Sequence, residues 1–185
     1  MQKTSRLIAI VFSIIAVVAI LVVWKKGDRK RALSELATRF GAEVSITAGE
    51  FYVGCSSPDL IDLNGLADLV ARVGEPTILD LTGAPSLKSL SGIQKMPSLS
   101  SIVLIDCASL TTADGVSGHP SLTEIVLTDS VNFSGTAGIR DLPSLTTLDF
   151  SGCLALSAIE IADLPALENL YLSRCRKLER LDLAP

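Results

Sequence analysis

Apolar and polar residues change rhythm along this chain, and each change predicts a different element. Residues Leu7–Trp24 read LIAIVFSIIAVVAILVVW, without a charge. As a helix this stretch is roughly 27 Å long at about 1.5 Å per residue, close to the hydrocarbon thickness of a bilayer. Trp24 and then Lys25-Lys26 stand where an interfacial ring and head-group contacts belong. The pattern predicts a single transmembrane helix kept as a signal-anchor. A cleaved signal peptide is the rival reading, but its apolar region is usually shorter and followed by small residues.

Beyond it the period shortens. Gly27-Asp28 interrupts the run, and Asp28 is placed to cap a helix over residues 29–40. Leu33, Leu36, Ala37 and Phe40 form its apolar stripe, and Gly41 ends it. Short alternating runs, Glu43–Ile46 and Phe51–Val53, predict strands. A second helix fits Gly65–Val73, with Asn64 as cap and Leu66, Leu69, Val70 and Val73 on one face. These elements are expected to cover one end of the repeats that follow, because a repeat array otherwise exposes apolar surface there.

From Gly74 the sequence repeats. Pro97, Pro120, Pro143 and Pro165 open the segments PSLSSIVLIDCASL, PSLTEIVLTDSVNF, PSLTTLDFSGCLAL and PALENLYLSRCRKL, and GEPTILDLTGAPSL is an earlier copy in register. Apolar residues recur at fixed places: Leu99, Ile102, Leu104, Cys107 and Leu110 in one copy, Leu145, Leu148, Phe150, Cys153 and Leu156 in another. A second block carries Gly92, Gly115 and Gly138 in alignment. The pattern LxxLxLxxCxxL resembles the leucine-rich-repeat family, in the 22–23-residue class of bacterial internalin-like proteins. The resemblance spans residues 74–185. It implies an α/β leucine-rich-repeat solenoid, with parallel strands on a concave face and short helical or 3-10 turns on the convex face, here after a single transmembrane helix. The chain then divides into a tail (1–6), the transmembrane helix (7–24), a basic juxtamembrane segment (25–31), an α/β cap (32–73) and about five repeats (74–185).

Charge narrows the partners. The chain of 185 residues has a net charge of -4 and no basic stripe, which argues against nucleic acid. Lys25, Lys26, Arg29, Lys30 and Arg31 follow the apolar run, against Lys3 and Arg6 before it. This bias places the repeats on the cytoplasmic side of a single-pass membrane protein, with the bilayer a partner through Leu7 to Trp24.

Candidate chemistry is sparse. Cys55, Cys107, Cys153 and Cys175 form no CxxC pair, and His119 lies near none of them, so neither metal nor cofactor is expected. Cys107, Cys153 and Cys175 share a column with Ala84 and Ser130, which fits small inward residues whose S–H meets nearby backbone. Cys153 and Cys175 fall in neighbouring copies within possible disulfide reach, leaving Cys107 out. His119 aligns with Met96, Leu142 and Leu164 and reads as a partly buried spacer. No catalytic residues and no small-molecule substrate are expected.

A partner surface is sought among residues alternating with the core positions. The central row is Asp80, Val103, Val126, Asp149 and Tyr171, flanked by Ile78, Ser101, Glu124, Thr147 and Asn169 and by Thr82, Ile105, Thr128, Ser151 and Ser173. Val103, Ile105 and Val126 make an apolar spot beside Glu124 and Asp149, with Tyr171 the one aromatic. These six residues are the candidate protein-binding site. The expected function is a membrane-anchored, non-catalytic protein-interaction module. The alternative is a self-assembling membrane-associated element that uses an uncapped C-terminal end.

Overall fold

A computed structural model describes residues 25–47 and 50–184. Helix α1 covers residues 25–40, and Ala32, Leu36 and Phe40 lie buried along it at helical spacing. Ala37 stays exposed, so the stripe sits one residue off the expected one. Gly27-Asp28 does not start a helix but lies inside α1. A glycine costs only about 1 kcal/mol in a helix interior, and Asp28 is tied across to Arg72, whose Nε donates to both carboxylate oxygens at 3.2 Å. Gly41 takes the left-handed turn that ends α1, φ 58°.

Strands β1 (Glu43–Thr47) and β2 (Glu50–Gly54) form an antiparallel hairpin. Helix α2 (Asn64–Val73) buries Leu66, Leu69, Val70 and Val73. Asn64 is its first residue, not its cap. Leu63 stands at the N-cap position without a side-chain bond, and the Asn64 N–H donates to Asp62 Oδ1 at 2.8 Å in the turn that leads in.

β2 hands the chain to a parallel sheet. β3 (Ile78–Asp80), β4 (Ser101–Val103), β5 (Glu124–Val126), β6 (Thr147–Asp149) and β8 (Asn169–Tyr171) stack in that order. Ile78, Ser101, Glu124, Thr147 and Asn169 sit side by side, so each turn advances the chain by 23, 23, 23 and 22 residues. Two short strands, β7 (Ala158–Ala162) and β9 (Arg180–Ala184), pair in parallel as a separate sheet. A 3-10 turn covers Ile93–Lys95. Gly92 is required before it. Its φ is 108°, and a Cβ there would meet the backbone of Leu63 and Asn64 at 2.7 Å.

Leu79, Ile102, Ile125 and Leu148 form one fully buried column, and Leu81, Leu104, Leu127 and Phe150 form the next. Phe150 stacks on Phe133, centroids 5.7 Å apart. In the final turn Leu170, Leu172 and Leu178 are only partly buried, and Leu181 and Leu183 are about half exposed.

The expected fold class is corrected to a parallel-stranded α/β solenoid alone. No helix among the described residues is long and apolar enough to cross a membrane. Residues 7–24, on which the transmembrane helix was expected, lie outside the described residues. The bilayer partner, the signal-anchor, the cytoplasmic placement of a single-pass protein and both membrane-bound forms of the function rested on that helix and fall with it.

Candidate functional site

In β3, β4, β5 and β6 the middle residue is buried and its neighbours along the strand point the other way, as the period of two requires, whereas Leu170 in β8 is only partly buried. The outward row runs Gly54, Asp80, Val103, Val126, Asp149 and Tyr171 in direct register. Val103, Glu124, Val126 and Asp149 are partly exposed, and Tyr171 is 51 % exposed. Ile105, also partly exposed, follows β4. The six candidate residues therefore share one strand face, spread over four adjacent strands.

Hydrogen bonds hold the polar members in place. Ser101 donates to Glu124 Oε2 at 2.8 Å, and Thr128 donates to Asp149 Oδ2 at 3.1 Å. At the β2 end, Tyr52 donates to Asp80 Oδ2 at 3.0 Å, and the Thr82 N–H donates to Oδ1 at 2.9 Å. Burial alone would raise the Asp80 pKa, but the bonds from Thr82 and Tyr52 outweigh it and hold the carboxyl below its ordinary value. Burial and the neighbouring Asp80 push the Tyr52 phenol up, so it stays a donor. Beside this pair lies a recess of about 270 Å³ lined by Glu43, Tyr52, Gly54, Ser56, Asp80 and Thr82, among others. Sequence reading missed this recess. Its signal is the Gly54 that breaks the outward row, legible only once β2 is known to join the sheet.

The strand face ends in a left-handed turn repeated through five copies: Gly83, Asp106, Asp129, Gly152 and Arg174 all have φ between 56° and 77°. Glycine and aspartate enter that region at least cost. Arg174 reaches back over Gly152 to Asp129, its Nη2 3.0 Å from Oδ1. Arg180, also in the last copy, pairs with Glu160 and Asp182.

The cysteines belong to the interior. Cys107, Cys153 and Cys175 each donate to a carbonyl of the preceding turn, Leu81, Leu127 and Phe150, at 3.1–3.3 Å, and Ser130 donates to Leu104 at 2.7 Å in the same column. All four thiols are free. Burial pushes Cys107 up to about 11 and Cys153 up to about 12. Thiols so held are almost wholly protonated at neutral pH. His119 is more deeply buried than expected, 2 % exposed, with Nε2 donating to the Met96 carbonyl at 3.1 Å and Nδ1 without a partner. Among the described residues no group of three His, Cys, Asp or Glu side chains is placed to hold a metal ion.

No protein-family model, curated protein or solved structure matches the chain. The leucine-rich-repeat, internalin-like assignment with an anchor is corrected to the coarser one of a parallel-stranded solenoid, a repetitive scaffold typical of non-catalytic interaction modules, with no long apolar helix among the described residues.

Proposed function

We propose that this chain is a non-catalytic protein-interaction module working through its exposed strand face, with Val103, Ile105, Glu124, Val126, Asp149 and Tyr171 as the contact residues. The observation that carries this reading is the contrast between columns. Leu79, Ile102, Ile125 and Leu148 are uniformly apolar and fully buried. One residue further along, the row changes from Asp80 through valines to Asp149 and Tyr171. Packing dictates the first column and leaves the second free for recognition, where an aromatic such as Tyr171 is a typical anchor. The thiols, locked to carbonyls and protonated, favour a scaffold over a nucleophile.

A photo-crosslinking amino acid placed at Val126 and, separately, at Tyr171 of the full chain tests this in the producing cells. Both positions should trap the same protein, and Leu154, exposed but off the strand face, should not. Crosslinks from Leu154 alone, or from none of the three, would refute the reading.

A further inference from the structure

We propose that the strand face receives a basic segment of a partner protein, with one lysine or arginine side chain seated in the recess between β1, β2 and β3. This rests on the functional reading above and narrows it to a partner chemistry.

The first observation is the sign of the face. The outward positions of β1 to β6 include Glu43, Glu50, Asp80, Glu124 and Asp149, and no lysine, arginine or histidine. The turn bordering it adds Asp106 and Asp129. The first cation along that border is Arg174, which is already paired with Asp129. A face of one sign, walled by low-dielectric protein, attracts the opposite charge and repels acidic partners.

The second observation is shape. Gly54 occupies the outward row where each later strand presents a side chain. A Cβ at Gly54 would come within 2.7 Å of the Tyr52 hydroxyl, so glycine there leaves Tyr52 room to reach Asp80 at the edge of the recess. Its volume of about 270 Å³ holds a cationic head group with several waters, each occupying roughly 30 Å³. Asp80 is fixed by Tyr52 and Thr82, and each of its oxygens retains acceptor capacity for an incoming N–H. An acceptor already oriented loses little freedom when the cation arrives.

The third observation is spacing. Asp80 on β3 and Asp149 on β6 are three strands apart in one row, about 14 Å at the usual strand separation. Val103 and Val126 lie between them. An extended segment crossing the strands places residues i and i+4 roughly 13 Å apart on one side, with i+2 between. The face thus fits a basic–x–apolar–x–basic pattern, with its first cation in the recess and its second near Asp149 and Glu124.

Selection of a random-peptide library on the immobilised full-length chain tests the proposal. The expected product is peptides with that pattern. A synthetic one should lose roughly tenfold in affinity on Asp80→Asn, and similarly on Glu124→Gln with Asp149→Asn. Its affinity should also fall steeply with added salt. Asp80→Asn is nearly isosteric at a partly exposed position, so an unchanged melting temperature checks that the fold is intact. Peptides without cations whose binding is lost in Val126→Ser would overturn this inference and leave the interaction reading standing. Peptides indifferent to every face substitution, or no binders at all, would overturn it outright. So would self-association of the chain that Asp80→Asn abolishes, because it would put a second copy on the face.

Discussion

Leu127 and Val126 are neighbours with opposite environments, and they test the register directly. Leu127 is fully buried, and Leu127→Ala should cost about 2–5 kcal/mol, the range for buried leucines. Val126 is partly exposed, and Val126→Ser should cost about 1 kcal/mol or less, mostly strand propensity. Denaturant melts of the two variants compare the costs, and equal losses would mean the strand register is wrong. His119 offers a second residue-scale prediction. Burial holds its pKa below the ordinary value, against the opposing Met96 hydrogen bond. An unfolded histidine titrates near about 6.5, so the unfolded chain binds the proton first as pH falls. Stability from neutral His119 is therefore complete above that pH and lost progressively on the way down to the folded-state pKa. Melting temperature should drop between neutral and mildly acidic pH. His119→Leu, matching Leu142 in its column, should flatten that part of the profile; an unchanged slope would place the titrating group elsewhere.

The repeated left-handed turn is the device that works at the scale of the element. It lets each strand leave the face while its N–H groups bond to the next turn, as Gly152 does to Ser173 at 2.8 Å. Gly152 has φ 77°, and a Cβ there would collide with the Asp129 carboxylate that Arg174 binds. Gly152→Ala should thus cost about 1–3 kcal/mol from backbone strain alone, with the Asp129–Arg174 contact displaced as well. Arg174→Ala removes only an exposed ion pair and should cost roughly 0.2–1 kcal/mol. Thermal melts rank the two, and a larger loss for Arg174→Ala would show that the ion pair, not the glycine, shapes this turn.

Across the whole molecule, stability should grade along the stack. Each turn is held by its neighbours, and the turn bearing β8 and β9 has a neighbour on one side only among the described residues. Its Leu170 and Leu172 are partly buried, where Leu148 and Phe150 one turn earlier are fully so. Amide hydrogens of Asn169–Tyr171 should exchange well before those of Glu124–Val126, because local opening needs least energy where few apolar contacts are lost. Hydrogen exchange read by mass spectrometry checks this, and uniform protection along the stack would argue for one cooperative unit. The same grading predicts that Leu148→Ala destabilises more than Leu170→Ala.

The amino-acid sequence by itself determined the periodic part of this protein. Leu104, Leu127 and Phe150 recur at one turn's spacing because only apolar volume can fill a shared interior, so composition at those positions reports burial. The outward rows followed from the strand period of two, and the inward cysteines from the Ala84 and Ser130 that share their column. What needed the tertiary structure has no period. Asp28 lies inside α1 and is tied to Arg72, a partner 44 residues away. Asn64 opens α2 instead of capping it, and its N–H is held by Asp62 in the turn before the helix. The apolar run at residues 7–24 carried a membrane expectation that no described helix supports. The recess at Gly54 arises where a non-repeating hairpin joins a repeating sheet: a missing side chain in β2 becomes a cavity only beside Tyr52 and Asp80. A pattern can reveal what every turn shares, whereas a site is made where turns differ, and that depends on which residues the fold sets side by side.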